Sequence, residues 1–518
     1  MSAATLEGSA AKAAESVRAP SDFWSPILVK EVRQALRGRV FRVTFVMTLA
    51  AALLAALSQS VGPDALGDVS QARSYFLSLY FCLVVALVVV VPLGAFQAVG
   101  NEWEESTFDL LTLTHLQPRR IVLGKVWSAC VQGGLFLSAL MPFFAITSLL
   151  RGIDLRAAAL VLLWVGVTSF ALTLLGVALS TLSKVRFVRV VLMLALGAAM
   201  MPFLAGLPSA ASQALRDPSD FTSLEALLAM GSSALLILIA GSYAFGIACN
   251  MLAHPEENRS TNLRVVTTCG SILALSLVSF LAEILSSALD FISAMTIGGL
   301  VVVSVVDFFF LTERRTLGQR VSLHVPRSPL VALLVSPWLP GGGRGVLLHA
   351  LHVAGITLWG AILMAIHRVS PTNPLADGFG AVLVTALLAL VYVPLLPGVF
   401  AWLLERPGGR LVVRIGAPVL LLLSILVPGV VGAFTRDRDL AQLQHLANPF
   451  WVVERAYMQD GVTLQQAALF GGLALVALLI NAPRVIAGIF EVLRAAGRRS
   501  ARSAARAQEG AALGDPVQ

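Results

Sequence analysis

The histidines and cysteines are the side chains in this sequence best suited to metal binding, and their spacing argues against it. None of the seven histidines forms an HExxH pattern, the spacing that places two zinc ligands on one helix face. His349 and His352 lie at i, i+3 on one side of a predicted helix, but two ligands alone rarely hold a metal ion. The four cysteines lie in or beside apolar runs and form no CxxC pair: Cys82, Cys130, Cys249 and Cys269. We therefore expect buried, structural roles and no metal site.

Paired acids and glycine-rich runs are the other features that could do chemistry. Asp437 and Asp439 form a DxD pattern found in membrane glycosyltransferases, but Arg436 and Arg438 flank them and neutralise the loop. No GxxxxGK[ST] phosphate loop occurs: the Gly124–Lys125 pair lacks the first glycine and the hydroxyl residue. We therefore expect a chain that is not an enzyme, has no ATPase of its own and binds no cofactor.

The composition is that of a membrane protein with many spans. Of the 518 residues, 57% are hydrophobic and 13% are charged, and the mean hydropathy is +0.84. Soluble domains carry about 25% charged residues, and here the apolar excess extends along the whole chain. A soluble enzyme and a soluble domain with one anchor are both excluded. The net charge of +8 is attributed to loops facing an anionic cytoplasmic leaflet and not to nucleic-acid binding.

Twelve apolar runs are long enough to cross a bilayer, which needs about 20 residues per helix. Residues 1–24 are polar and lack the apolar core of a cleaved signal peptide. With both termini cytoplasmic, 29 of the 37 Lys and Arg residues fall on the cytoplasmic side and 8 on the other, as the positive-inside rule requires. This predicts an all-α, multi-pass protein of the cell (inner) membrane. The predicted spans are 41–61, 75–99, 126–150, 157–182, 187–207, 225–252, 265–286, 288–311, 346–366, 380–404, 412–434 and 463–481.

Two segments of the first half carry specific information. Residues 25–39 predict an amphipathic helix at the membrane interface: at 100° per residue, Lys30, Arg33 and Arg37 share one narrow sector. The loop 100–120 is acidic at its start, has an apolar side, and is followed by basic residues. Acidic residues are unusual on an inner loop facing anionic lipid, so this loop predicts a short helix that docks another protein.

Together these segments resemble the permease subunits of ABC-2-type ABC exporters. The interfacial part of the pattern is matched by Pro26, Ile27, Leu28, Lys30, Glu31, Arg33 and Arg37; the loop part by Glu102, Thr107, Asp109, Leu110, Leu111 and Thr114; and its anchor by Arg119, Gly124 and Lys125. Glu105 is a further candidate coupling residue of the loop. The resemblance implies that the 101–118 helix is a coupling helix seated in a groove of a separate ATPase subunit, which holds the ATP. Residues 25–255 would then be one six-span permease unit.

The second half departs from that pattern. Residues 256–481 predict six further spans, and 482–518 a basic cytoplasmic tail that is partly disordered. Glu313 and Gly318–Arg320 repeat the first loop only loosely. A homodimer through residues 25–255 and a pore completed by the second half both stay open, and the apolar spans suit a hydrophobic or lipid-linked substrate.

The main alternative is an ion-coupled secondary transporter with twelve spans. Such proteins carry ionisable residues inside the bilayer. Here Glu283, Asp290, Asp307 and Glu405 fall near predicted span ends. The span interiors therefore carry almost no charge, which favours energy supplied from outside the bilayer.

Overall fold

The protein is all-α and polytopic, as the sequence predicts. In the computed structural model, every regular element of the described residues is a helix. Eleven of these helices are long and apolar enough to cross a membrane, and each coincides with a predicted span. The twelfth predicted span, 412–434, lies in the helix Gly409–Phe434, which is not one of the eleven, so the number of spans stays a prediction. The described residues are 26–59, 69–104, 117–149, 153–253, 258, 260–284, 288–314, 316–367, 378–406, 408–434, 448–458 and 463–512.

The chain divides into two compact units, Met1–Leu252 and Ala253–Gln518. The division lies close to the boundary at 255 that the sequence suggested. The helices of the first unit are α1 Pro26–Arg37, α2 Arg39–Gln59, α3 Val69–Val84, α4 Val91–Glu104, α5 Pro118–Leu149, α6 Leu155–Thr181, α7 Arg186–Arg216, α8 Pro218–Phe221 and α9 Leu224–Leu252.

Helices α3 and α4 are joined by a π-helical segment, Val85–Val90, into one continuous span. A π segment leaves backbone carbonyls without their usual helical donors. Ser169 on α6 donates to one of them, the Leu87 carbonyl, at 2.6 Å. A Cβ on Gly176 would lie 2.9 Å from the Pro92 carbonyl oxygen, so a glycine is needed where α6 crosses this span.

Helix α1 is shorter than the predicted 25–39. It ends at Arg37, and Gly38 separates it from α2, which begins at Arg39. Arg39 is therefore the first residue of α2 and not part of α1. Lys30, Arg33 and Arg37 are exposed, and α1 packs against α5 through its other face.

The second unit is built around the long helix α19. Its helices are α10 Thr261–Ala282, α11 Ala288–Leu311, α12 Gln319–Ser322, α13 Pro329–Val335, α14 Gly342–Ile366, α15 Phe379–Val399, α16 Ala401–Leu404, α17 Gly409–Phe434, α18 Pro449–Met458 and α19 Leu464–Ala512, with a 3-10 turn at Ser336–Trp338.

Helix α19 extends well beyond the predicted span and continues without a break to Ala512, the last described residue of the tail. Beyond the predicted end of the span, Val492 and Ala496 are buried in one cluster with Val321, Val325 and Ala332 of the 312–341 segment. Arg499 also donates to the Val325 carbonyl at 2.5 Å. Residues of the basic tail therefore pack against other elements of the second unit.

The glycine run 341–345, which is no phosphate loop, permits close backbone contact. Gly341 has φ +140°, a conformation that side chains rarely adopt. A Cβ on Gly343 would collide with the Arg484 carbonyl, and one on Gly345 would lie 2.7 Å from the Phe310 carbonyl carbon. The start of α14 can therefore approach α11 and α19 only with glycine at these positions.

Candidate functional site

A buried ion cluster in the first unit joins three pieces of sequence that are far apart in the chain. Lys125 Nζ on α5 lies 2.9 Å from Glu102 Oε1 on α4 and 3.3 Å from Glu31 Oε2 on α1. It also donates to the Ala98 carbonyl at 3.4 Å. Lys30 Nζ approaches from the exposed side, 3.8 Å from Glu102 Oε1. We call Glu31, Glu102 and Lys125 the α1 ion cluster.

Because its side chains are buried, this cluster is a buried ion network and not a surface salt bridge. Glu31, Glu102 and Lys125 are 7%, 4% and 4% exposed. Burial raises the pKa of Glu31, while the Lys125 ammonium opposes that rise. Removing one member of a buried ion pair leaves an uncompensated charge in a poorly solvated place. The cluster therefore holds α1, α4 and α5 together in one arrangement.

The periodicity of α1 explains how one short helix serves two surfaces. Glu31 points at α5, whereas Lys30, Arg33 and Arg37 stay exposed. The exposed face borders an open groove of about 590 Å³. The groove is lined by Val29, Lys30, Arg33, Gln34, Arg37 and Gly38.

The structure corrects the place given to Glu102. The sequence put it at the start of a coupling helix, where a partner would contact it. It lies instead in the last turn of α4 and is buried against Lys125. Of the predicted loop anchor, Lys125 lies inside α5 beside the buried Gly124, whereas Arg119 is exposed.

The remaining coupling residues lie outside the described residues. They are Glu105, Thr107, Asp109, Leu110, Leu111 and Thr114. The described residues on either side of the loop 105–116 end at Glu104 and begin again at Gln117. In the α1 ion cluster, Glu102 comes just before this loop and Lys125 comes after it.

A second buried cluster lies in the second unit, and sequence reasoning missed it. Asp307 on α11 is fully buried, and two histidines of α14 contact its carboxylate. Its carboxylate lies 3.0 Å from His349 Nδ1 and 3.0 Å from His352 Nδ1. Asp307 lies near the end of its span, as predicted. The position of Asp307 in the sequence did not reveal that neighbouring helices would bury it. The i, i+3 spacing of His349 and His352 was the one sequence feature that pointed to this cluster.

Buried arginines surround the same end of the second unit. Arg264 Nη2 lies 2.8 Å from Glu313 Oε2, and Arg344 Nη1 lies 3.2 Å from Glu491 Oε2. Arg484 donates to the Leu311 carbonyl at 2.9 Å. The sequence placed Arg264 and Arg344 in cytoplasmic segments between predicted spans and Arg484 in the tail. The structure shows them packed among the helices, and Glu313 is the ion-pair partner of Arg264.

Over the described residues, no group of three or more His, Cys, Asp or Glu side chains is placed to hold a metal ion. The members of each cluster contact one another and also groups around them: Lys30 and the Ala98 carbonyl in the first cluster, Thr268 and the Ala389 carbonyl in the second.

The chain matches no protein-family model, no curated protein and no solved structure. The resemblance to ABC-2-type permeases therefore depends on this chain's own residues and their arrangement. The matched residues within the described part of the chain are Pro26, Ile27, Leu28, Lys30, Glu31, Arg33, Arg37, Glu102, Arg119, Gly124 and Lys125.

Proposed function

We propose that this chain is the membrane-spanning permease subunit of an ABC exporter, powered by a separate ATPase subunit docked on the loop 105–116. One observation carries the proposal. Lys125 Nζ lies within 3.3 Å of a carboxylate oxygen of both Glu31 and Glu102. These three residues come from the three separate parts of the permease-like pattern. The three residues form one structural unit beside the loop 105–116. This contact gives a physical reason why they occur together in the pattern.

The α1 ion cluster suits a device that transmits force. In the proposed cycle, closure of the ATPase subunits displaces the loop 105–116. Because Glu102 and Lys125 join the two helices that flank the loop, the displacement moves α4 and α5 together instead of separating their ends. Glu31 passes the same motion to α1. The membrane-spanning helices then exchange inward-open and outward-open states, whose populations depend on differential binding of the ATPase.

The remaining parts of the proposal follow from the resemblance and the topology prediction. Both termini and the loop 105–116 face the cytoplasm of a cell whose inner membrane holds the protein. The substrate is hydrophobic or lipid-linked and is exported. A permease needs two six-span units, which a homodimer through residues 25–255 would supply.

The proposal is tested by affinity purification in mild detergent followed by mass spectrometry. Glu105→Lys/Asp109→Lys is the informative variant, because both residues lie in the loop. Glu102 is unsuitable, since its burial means that a substitution there would disturb the fold. Glu225→Lys is the matched control: it reverses an exposed charge at the start of α9, on the side predicted to face away from the ATPase.

We expect an ATP-binding-cassette ATPase to copurify with the wild type and the Glu225→Lys variant and to be lost from the loop variant. If no such ATPase is recovered under conditions that preserve known complexes, the proposal fails. Equal recovery with the loop variant would reject the docking site.

A proton-coupled secondary transporter is the second candidate, and one observation favours it. Asp307, with His349 and His352, is an ionisable cluster buried within spanning helices, and such residues mark proton pathways in transporters. Purified chain alone would then accumulate a lipophilic dye in proteoliposomes when a pH gradient is imposed without ATP. Uptake that needs the ATPase and ATP would reject this candidate.

A further inference from the structure

The contacts around Asp307 restrict where the protons of its cluster can lie. His349 Nδ1 lies 3.0 Å from Asp307 Oδ2, and His352 Nδ1 lies 3.0 Å from the same oxygen and 3.1 Å from Oδ1. An ionised carboxylate only accepts hydrogen bonds, while an imidazole nitrogen either donates or accepts. Each of these two contacts therefore needs one proton, located on the histidine or on the aspartate.

The outer nitrogens of the two histidines face different partners. His349 Nε2 lies 3.3 Å from the Ala389 carbonyl, which only accepts, so this nitrogen carries a proton. His352 Nε2 lies 2.8 Å from Thr268 Oγ1, and a hydroxyl both donates and accepts. The two histidines are therefore not equivalent: the environment of His352 Nε2 is compatible with a protonated and an unprotonated nitrogen.

Thr268 has suitable partners for both states. Its hydroxyl accepts from Trp338 Nε1 at 3.0 Å and lies 2.9 Å from the Arg264 carbonyl. When His352 Nε2 is bare, Thr268 donates to it. When Nε2 carries a proton, it donates to Thr268, and the Thr268 hydroxyl turns to donate to the Arg264 carbonyl.

These two arrangements differ by one proton on His352 Nε2 and by the group to which the Thr268 hydroxyl donates. In both, His352 Nδ1–H donates to Asp307, and one further proton lies between Asp307 and His349 Nδ1. The cluster is neutral overall when His352 Nε2 is bare and carries one positive charge when that nitrogen binds a proton. Each histidine contact named above has one hydrogen in both states, whereas the contact between Thr268 and the Arg264 carbonyl has one only when His352 Nε2 carries the proton.

We propose that Asp307, His349, His352 and Thr268 form a binding site for one exchangeable proton, taken up at His352 Nε2. Such a site goes beyond the proposed ATPase docking, because none of its residues belongs to the α1 ion cluster or to the loop 105–116. Uptake reorients the Thr268 hydroxyl, which also holds Trp338. The occupancy of the site is thereby linked to the 3-10 turn that leads into Gly341 and α14.

The charged groups around the cluster are engaged with one another. Arg264 of α10 pairs with Glu313, and Arg344 of α14 pairs with Glu491 of α19. Arg484 of α19 donates to backbone carbonyls and to Asn481. Helix α15 supplies the Ala389 carbonyl and contains no Asp, Glu, Lys, Arg or His. Addition of a proton is therefore expected at His352 and not at one of these groups.

The test is solid-state nitrogen NMR of the full chain in lipid bilayers, with the histidine ring nitrogens isotopically labelled. Spectra are recorded from about pH 8 to about pH 5, the range in which histidine charge changes. We expect one bare-nitrogen signal, removed by His352→Gln, to convert to a protonated signal on acidification. His349 Nε2 should carry its proton throughout. His324→Gln is the control, since His324 is exposed on α12's C-terminal side and should leave the His352 signal in place.

Two conservative variants separate proton binding from a structural role. Thr268→Ser keeps the hydroxyl and should titrate like the wild type. Thr268→Val removes it and should move the midpoint of the His352 conversion by more than tenfold in proton concentration. The proposal is overturned if His352 Nε2 stays protonated, or stays bare, across the whole range. A Thr268→Val protein that titrates like Thr268→Ser would overturn it too.

Discussion

Glu102 and Lys125 form a buried ion pair, 2.9 Å between Oε1 and Nζ, just before and just after the loop 105–116. Glu31 of α1 shares the same ammonium group at 3.3 Å. The described helices that flank the loop are therefore fixed to each other and to the interfacial helix by one positive charge.

Lys125→Met tests that arrangement, since it removes the buried counter-ion of Glu31 and Glu102 and leaves only the exposed Lys30 ammonium near them. Loss of one partner of a buried ion pair costs about 3–5 kcal/mol. We expect a marked fall in the thermal unfolding midpoint of the detergent-solubilised protein. Lys30→Met is the matched control, because an exposed ion pair contributes about 1 kcal/mol or less. Equal losses for the two variants would contradict the central role of Lys125.

Glu31 should make stability depend on pH in a definite direction. Burial raises the pKa of Glu31, so the folded protein binds a proton on Glu31 that the unfolded chain has already released. Stability then falls as pH rises from the ordinary glutamate value, about 4.3, through the raised value. Thermal midpoints measured across this range should show that fall in the wild type.

Glu31→Gln should flatten the profile in that window. Glu225→Gln, which alters an exposed glutamate, should retain the wild-type profile. A Glu31→Gln protein with an unchanged slope would show that another group causes the pH dependence.

The glycines of α14 allow a comparison within one helix. Gly345→Ala places a methyl group 2.7 Å from the Phe310 backbone, and overpacking of this kind costs about 1–3 kcal/mol. Gly355→Ala adds the same methyl group where no heavy atom lies within 4 Å. It should be neutral or stabilising by up to about 1 kcal/mol, since alanine favours the helix. Unfolding midpoints of the two variants should move in opposite directions or differ clearly, and similar values would contradict the close contact with α11.

Truncation distinguishes a packed α19 from a dispensable tail. Deletion of 482–518 removes Arg484, Glu491 and Val492, which are bonded to or packed against other elements of the second unit. We expect this protein to be lost or to aggregate on size-exclusion chromatography. Deletion of 513–518 alone should leave a monodisperse peak. A stable protein lacking 482–518 would refute the structural role of this part of α19.

The features that the sequence predicted well are those set by local periodicity and composition. Runs of about 20 apolar residues predict spanning helices, because each helix satisfies its own backbone within the bilayer. The amphipathic α1 followed from the 100° spacing of Lys30, Arg33 and Arg37. Neither inference needs to know which helix lies beside which.

Errors arose where a charged residue met a partner from a distant part of the chain. Lys125, Arg264 and Arg344 lie between the predicted spans, where cationic residues usually face water or headgroups. Their carboxylate partners were visible in the sequence, but nothing local paired them. Likewise, no local pattern showed that Val492 and Ala496 of the tail would pack against the 312–341 segment.

The sequence by itself therefore determined that this protein is helical, membrane-spanning and equipped with an amphipathic helix before its first span, because hydrophobicity and helical periodicity act over a few turns. Only the tertiary structure decided that Lys125 meets Glu31, 94 residues away, and that His349 meets Asp307, 42 residues away. Burial of charge depends on how helices pack, and packing brings together residues that no local pattern connects.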